Sequence, residues 1–210
     1  MRKMIAFLLM LFLMASSMTA TAAAEAGTAP SNVLVVFFSR HGTSQGDADA
    51  DAASSASLSP GDVVQLTQTI HAAVGGDLFQ IITVDPYPKD YRATTDLATI
   101  EQSDNSRPPL AASVENMDDY DTIFLGYPIW WGTLPMAVVS FLESYDLSGK
   151  TIIPYCSHGG SGFGRSITDL AALYPGATIL DGLAMRGSDT ANAQAQVDLW
   201  LDDIGLKSMK

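Results

Sequence analysis

From Pro30 onward the chain alternates short apolar runs with amphipathic stretches, and this alternation constrains its fold more than any other feature. Short runs rich in β-branched and aromatic residues are typical of buried parallel strands. Five such runs predict five strands, at 33–38 ("VLVVFF"), 78–84, 121–126, 150–156 and 177–185. Because helical patterns separate the strands, the sequence predicts an α/β fold with a parallel sheet and helices on both faces.

The stretches between the apolar runs carry apolar residues at helical spacing. The first stripe begins at Val63, and the "GG" pair at 75–76 predicts its end. Further stripes predict helices around 138–142, 167–173 and 193–204. Ser188 is the predicted cap of the last helix, and Gly205 its predicted end. The stretch 90–102 also looks helical, and "SDNSRPPL" interrupts it.

The N-terminus has the pattern of a secretory signal. Arg2 and Lys3 precede an apolar run over 4–15, and small residues follow, with possible cleavage after Ala22 or Ala24. The apolar run is shorter than the roughly 18–20 residues of a spanning helix, so we expect no stable membrane insertion after cleavage. The predicted organisation is a signal peptide (1–24), a linker (25–31) and one domain (32–210) in which 39–60 form a phosphate-loop region with an insertion.

The net charge limits which partners the protein can bind, and the cysteine content limits how its fold can be stabilised. The net charge is −12, and loss of Arg2 and Lys3 with the signal leaves 9 basic against 23 acidic residues, hence −14. Such a surface repels nucleic acid, so we expect no nucleic-acid partner. Cys156 is the only cysteine, so no internal disulfide can form and the fold must rest on its core.

Ligands of open parallel sheets bind at the carboxyl ends of the strands. In this sequence the third predicted strand continues into "GYPIWWGTLPM". Two adjacent tryptophans in such a loop cannot both point into the core. Trp130 and Trp131 are suited to stacking on a flat aromatic ligand. The alternative is that the pair plugs the core or a partner interface.

The fourth strand ends in "CSHGGSGFGRS", a loop rich in glycine and serine. Its backbone N–H groups, little obstructed by side chains, could wrap a ring system or an anion. His158 could hydrogen-bond a ligand or move a proton, or it could simply face solvent. Cys156 is expected to be a small buried apolar residue rather than a reactive thiol.

These segments together resemble the flavodoxin-like family, in particular its bacterial members with a Pro-Ile-Trp-Trp-Gly loop and a His-Gly-Gly-Ser loop. The resemblance extends from Val33 to about Ile204 through "GGDLFQIITVDPYPKDY", "RPPL" and "GATILDGLAMRGSD". It implies a three-layer flavodoxin-like fold with strand order 2-1-3-4-5 and flavin mononucleotide (FMN) held across three strand-end loops. By this resemblance the flavin ring is lined by Pro128, Ile129, Trp130, Trp131 and Gly132 and closed on its other side by Ser157, His158, Gly159 and Gly160.

Family members hold the phosphate in a Ser-x-Thr-Gly-Asn-Thr loop after the first strand, at a helix N-terminus. Ser39 matches the first position, and two registers stay open beyond it. In the first register the loop is "SRHGTS", with His41 in place of a threonine. In the second, 40–58 are an insertion, and the Gly-Asn-Thr positions are filled by Gly61, Asp62 and Val63.

The second register places an unfavourable residue at the phosphate. Asp62 would repel the anion and compete for the same N–H groups, and Val63 lacks a hydroxyl. Phosphate binding would then rely on Ser39, Arg40 and the insertion, with Arg40 supplying a positive charge. Otherwise the affinity for the cofactor is weak or lost.

Two other patterns in this region are weaker. "GTSQG" at 42–46 has the Gly-x-Ser-x-Gly form of a hydrolase nucleophile elbow, but no helix pattern follows it directly, and the "HGGSG" segment lies on the wrong side of it in the chain. The aspartates of "DADADAASSAS" lack the glycine and distal glutamate of a calcium loop, so no metal site is expected.

The sequence therefore predicts an exported FMN-binding protein that exchanges electrons with a redox partner protein or a small-molecule acceptor. The alternative is a non-catalytic flavin- or ligand-binding module with a degenerate phosphate loop, and a serine hydrolase is a distant third. No residue is singled out as an acid, base or nucleophile. "DPYPKDY" and Arg107 are candidates for the substrate side.

Overall fold

The computed structural model describes residues 32–40 and 62–206. Six strands form one parallel sheet: β1 (Val33–Phe38), β2 (Asp77–Ile81), β3 (Thr122–Pro128), β4 (Thr151–His158), β5 (Thr178–Ile179) and β6 (Leu183–Arg186). Five α-helices accompany it: α1 (Asp62–Val74), α2 (Tyr91–Ser103), α3 (Met136–Glu143), α4 (Ser166–Leu173) and α5 (Gln194–Asp203). Two short 3-10 helices cover Met117–Asp119 and Gly187–Asn192.

The strand order is β2-β1-β3-β4-β5, with β6 also paired to β4. The predicted order 2-1-3-4-5 is thus confirmed. The prediction of one strand over 177–185 is wrong, because this segment forms two short strands that pair with successive parts of β4. β5 lies beside the start of β4, and β6 lies beside its carboxyl end, where Arg186 is in register with His158.

Alternate residues of β1 enter two separate cores because successive side chains of a strand point to opposite faces. Leu34, Val36 and Phe38 join a core that includes residues of α3 and α4. Val33, Val35 and Phe37 join a core that includes residues of α1 and α5. All six side chains are buried, so β1 contributes to both layers of the helix–sheet–helix arrangement.

The ends of the helices follow local sequence. After α1, Gly76 has φ +82°, and a Cβ there would overlap the carbonyl oxygen of Val33. Asp90 caps α2 by accepting a hydrogen bond from the Ala93 N–H at 2.8 Å. The predicted Ser188 cap of α5 is wrong, because Ser188 lies in the preceding 3-10 helix and its hydroxyl donates to Asp189. Gly205, at φ +77°, follows α5 as predicted.

Three further predictions from the sequence can be compared with the described residues. Cys156 is fully buried, which confirms the expectation from sequence. Across 32–40 and 62–206, no helix combines the length and the apolar character needed to cross a bilayer. The signal, the linker and most of the predicted insertion lie outside these residues, and the boundaries proposed for them stay predictions.

Candidate flavin site

The loop after β3 is joined by backbone hydrogen bonds to the end of β4 and to the loop that follows β4. The Ile129 N–H donates to the Ser157 carbonyl at 3.0 Å, and the Arg165 N–H donates to the Gly132 carbonyl at 2.8 Å. A Cβ on Gly164 would overlap that same Gly132 carbonyl, so only glycine permits this approach. The structure therefore brings together the two loops that the sequence singles out.

Residues 130–133 form a tight turn closed from both ends. The N–H of Trp130 donates to the Thr133 carbonyl and the N–H of Thr133 to the Trp130 carbonyl, each at 3.0 Å. The two central residues, Trp131 and Gly132, have φ +48° and +79°. Positive φ at both positions is the geometry of a type I′ turn, which favours Asn-Gly. A tryptophan at the first position is strained, and such strain is concentrated at functional sites.

As expected, the two tryptophans point in different directions, Trp130 into the protein and Trp131 towards solvent. Trp130 is only 7% exposed and packs edge-to-face against Phe38 and Tyr87, with ring centroids 5.5 and 5.0 Å apart respectively. Trp131 is 59% exposed, and its indole N–H donates to the Thr95 carbonyl of α2 at 3.1 Å. Trp130 thus belongs to the core, and Trp131 is the indole that a ligand could stack on.

Helix α2 forms a wall of the site that the sequence did not reveal. The Gln102 side-chain amide donates to the Trp130 carbonyl at 3.1 Å and so supports the turn. A cavity of about 200 Å³ lies between the helix and the turn beside these contacts. Its lining residues are Tyr91, Thr94, Thr95, Ala98, Ile129, Trp130 and Trp131. Tyr91 belongs to the "DPYPKDY" segment considered above for the substrate side, whereas nothing in the sequence pointed to Gln102.

The loop after β4 is held by the histidine that ends the strand. The Gly160 N–H donates to His158 Nδ1 at 3.0 Å, which fixes the neutral ring with its proton on Nε2. Burial lowers the pKa of His158, the charge of Arg186 lowers it further, and Asp189 acts in the opposite direction. No side chain would meet a Cβ at Gly159, so the loop leaves open space there.

The end of β1 carries the residues predicted for the phosphate. Ser39 is buried at the strand end. Arg40 Nη1 donates to the carbonyls of Pro88 and Lys89, both at 3.0 Å, and to the Thr94 hydroxyl at 3.1 Å. This nitrogen of Arg40 thus holds the segment before α2. His41 and Gly61 lie outside the described residues, as does the "GTSQG" segment.

Asp62 and Val63 open helix α1 in different surroundings. The side chain of Val63 is fully buried in the core between α1 and the sheet, so only its backbone could face a ligand. Asp62 is 6% exposed, and its Oδ2 has no hydrogen-bond partner within 32–40 and 62–206. Burial raises the pKa of Asp62 to about 6.

Replacing Asp62 by asparagine should make the protein less sensitive to pH. Below about pH 3 the carboxyl is protonated in both folded and unfolded chains, so it favours neither state. Between about pH 4 and 6 the unfolded chain releases this proton first, and the folded state loses about 1–2 kcal/mol relative to it. Denaturant unfolding should show D62N more stable than wild type by this amount at pH 7.5 and equal at pH 3 or below. An identical difference at both pH values would refute this assignment.

Buried polar groups that lack a hydrogen-bond partner indicate whether the described residues suit a bound flavin. The Ser157 hydroxyl is fully buried at the end of β4, and the Ser39 hydroxyl is buried at the end of β1; neither has a partner among residues 32–40 and 62–206. With the exposed Trp131 and the open loop at Gly159, these donors fit a flat ring with a polar tail. Asp62 does not fit a phosphate dianion at the tail end.

Comparisons with known proteins agree with this geometry. Residues 52–204 match the model of the flavodoxin family. Two similar crystal structures are each named "putative flavoprotein". The one from Bacteroides eggerthii is 31% identical over 82% of this chain and 96% of that chain, with a TM-score of 0.65. The one from Bacteroides uniformis is 26% identical over 83% of this chain and 99% of that chain, with a TM-score of 0.64. A Lactobacillus acidophilus flavoprotein in complex with FMN shares the fold at 14% identity over 78% of this chain and 98% of that chain (TM-score 0.56). No curated protein matches the sequence. The chain belongs to the flavodoxin family.

Proposed function

We propose that this protein binds FMN non-covalently at the carboxyl edge of its sheet and takes part in redox transfer. The observation that carries the proposal is the junction of two strand-end loops around an exposed, strained indole at Trp131. Structural neighbours named as flavoproteins, one of them in complex with FMN, support it.

The chain's own residues would hold and tune the cofactor. Trp131 would stack on the ring, and the backbone around Gly159 and Gly160 would meet its polar edge. The buried hydroxyls of Ser39 and Ser157 supply hydrogen-bond donors at the ends of β1 and β4. Bound FMN would supply the electron-transfer chemistry by alternating between its oxidised and reduced states. We assign no acid, base or nucleophile to the protein.

The second candidate is a flavin-binding module without turnover. Asp62 favours it, because a buried carboxylate at the start of α1 opposes a phosphate at that helix N-terminus. Weak phosphate binding would lower the affinity for FMN without removing the ring site. The loops that carry Trp131 and His158 retain their geometry in either case.

Export of the protein forms part of the proposal. It rests on the N-terminal pattern of Arg2, Lys3 and the apolar run over 4–15. Nicotinamide cofactors are scarce outside the cytoplasm, so we propose a membrane-associated or extracellular redox protein, or a small molecule, as the partner. Finding the mature protein in the cytosol by cell fractionation would contradict this part of the proposal.

Reduction and reoxidation of the bound flavin distinguish the two candidates. The FMN-loaded protein is reduced with dithionite under anaerobic conditions and mixed with a quinone, and the flavin absorbance is followed. A redox protein should return to the oxidised spectrum faster than free reduced FMN does under the same conditions. A flavin that stays reduced, or that reoxidises only after dissociating, would support the binding module instead.

A further inference from the structure

Arg186 lies at the carboxyl edge of the sheet because β5 is too short to accompany β4 along its whole length. β5 pairs with Thr151 and Ile152 only, and β6 takes its place beside the last four residues of β4. Arg186 ends β6 in register with His158, which ends β4. A cation is thus placed next to the loop that we propose for the polar edge of the flavin.

The guanidinium lies against the backbone of this loop. Its Nη1 is 3.5 Å from the Gly159 carbonyl oxygen and 3.5 Å from the position that a Cβ on Gly160 would occupy. The two glycines therefore give the cation a close approach that a larger residue at 160 would crowd. The lowered pKa of His158 has the charge of Arg186 among its causes.

The charge of Arg186 is not neutralised by an ion pair within 32–40 and 62–206. In contrast, Arg165 at the end of the same loop pairs with Asp169 at 3.0 Å. Asp189 is the acidic group that opposes Arg186 at His158, and its carboxylate accepts a hydrogen bond from Ser188. In a chain of net charge −12, Arg186 thus adds a positive charge beside this loop.

We propose that Arg186 stabilises the reduced flavin relative to the oxidised flavin, and this rests on the proposed function above. The oxidised ring is neutral, whereas two electrons from a reductant such as dithionite and one proton from water leave a ring with one negative charge. A cation behind the loop attracts the second form and not the first. Arg186 is a positioning and tuning residue: it acts through the Gly159–Gly160 backbone.

The test compares the dissociation constants of oxidised and dithionite-reduced FMN for wild type, R186Q and R186K. We expect R186Q to weaken the binding of reduced FMN about tenfold and that of oxidised FMN less than threefold. For a two-electron couple, tenfold corresponds to a potential lower by about 30 mV. R186K keeps the charge and should stay within threefold of wild type in both states. R92Q removes an exposed charge on α2 and is the matched control.

A second readout needs no flavin. In the apoprotein, NMR titration should give a higher pKa for His158 in R186Q than in wild type or R92Q, because one of the causes that lower it has been removed. Normal binding of oxidised FMN by R186Q shows that the variant is folded. If wild type binds FMN but R186Q changes the affinities for oxidised and reduced FMN equally, the role proposed for Arg186 is refuted and the proposed function is not. If wild type binds no flavin, the proposed function and this inference both fail.

Discussion

Replacing Gly126 by alanine should lower the free energy of unfolding by about 3 kcal/mol. Gly126 lies on β3 directly opposite Tyr155 of β4, and a Cβ there would overlap the aromatic ring. The ring cannot move aside, because Tyr155 is fully buried and its hydroxyl lies 2.8 Å from that of Thr67 on α1. The added methyl group must therefore distort the centre of the sheet or break the contact with α1.

Urea unfolding of G126A and wild type measures this loss. G159A is the matched control, because a Cβ at Gly159 meets nothing within 4 Å, and its free energy of unfolding should stay within about 0.5 kcal/mol of wild type. A G126A protein as stable as G159A would show that the β3–β4 packing described above is incorrect.

Replacing Trp131 by asparagine should have opposite effects on stability and on flavin binding. The substitution places Asn-Gly in a type I′ turn, the preferred pair, and relieves the positive φ of a bulky side chain, which is worth about 1 kcal/mol. Loss of the indole also removes the stacking surface and should weaken FMN binding about 30-fold, from typical aromatic-stacking energies of about 2 kcal/mol. We therefore expect W131N to be more stable than wild type and to bind FMN less tightly.

W131F separates the two effects. It keeps an aromatic ring and the positive φ, so its FMN affinity should stay within about fivefold of wild type without any gain in stability. Thermal unfolding and fluorescence titration with FMN measure both quantities on the same samples. Tight FMN binding by W131N would show that Trp131 does not contact the flavin.

The parallel sheet could be predicted because its central strands are short, buried on both faces and separated by helical stripes, as β1 illustrates, whereas the strand order was implied by the resemblance to the flavodoxin-like family. The split of the fifth strand could not, since β5 and β6 both pair with β4 and a continuous apolar pattern does not reveal a break in pairing. The cap of α5 was misplaced for a similar reason. Ser188 has the residue type of a cap but lies in a 3-10 turn that belongs to another element.

The site could be predicted only in part. Strand ends and glycine-rich loops indicated the loops after β3 and β4, and two adjacent tryptophans implied one exposed indole. Contacts between different helices and loops could not be predicted from the sequence. Gln102, for example, supports the turn although it lies 28 residues away along the chain. Arg186 was equally hidden, because its place beside His158 depends on how β6 pairs.

Calorimetric titration of the mature protein, beginning at Ala23 or Glu25 and freed of flavin, tests the central claim most directly. FMN and riboflavin are titrated separately into wild type and into D62N, which removes the carboxylate at the start of α1. We expect both flavins to bind wild type at one site, and D62N to gain affinity for FMN about tenfold but not for riboflavin. Absence of heat from both flavins with either protein would contradict the assignment of a flavin site to this edge of the sheet.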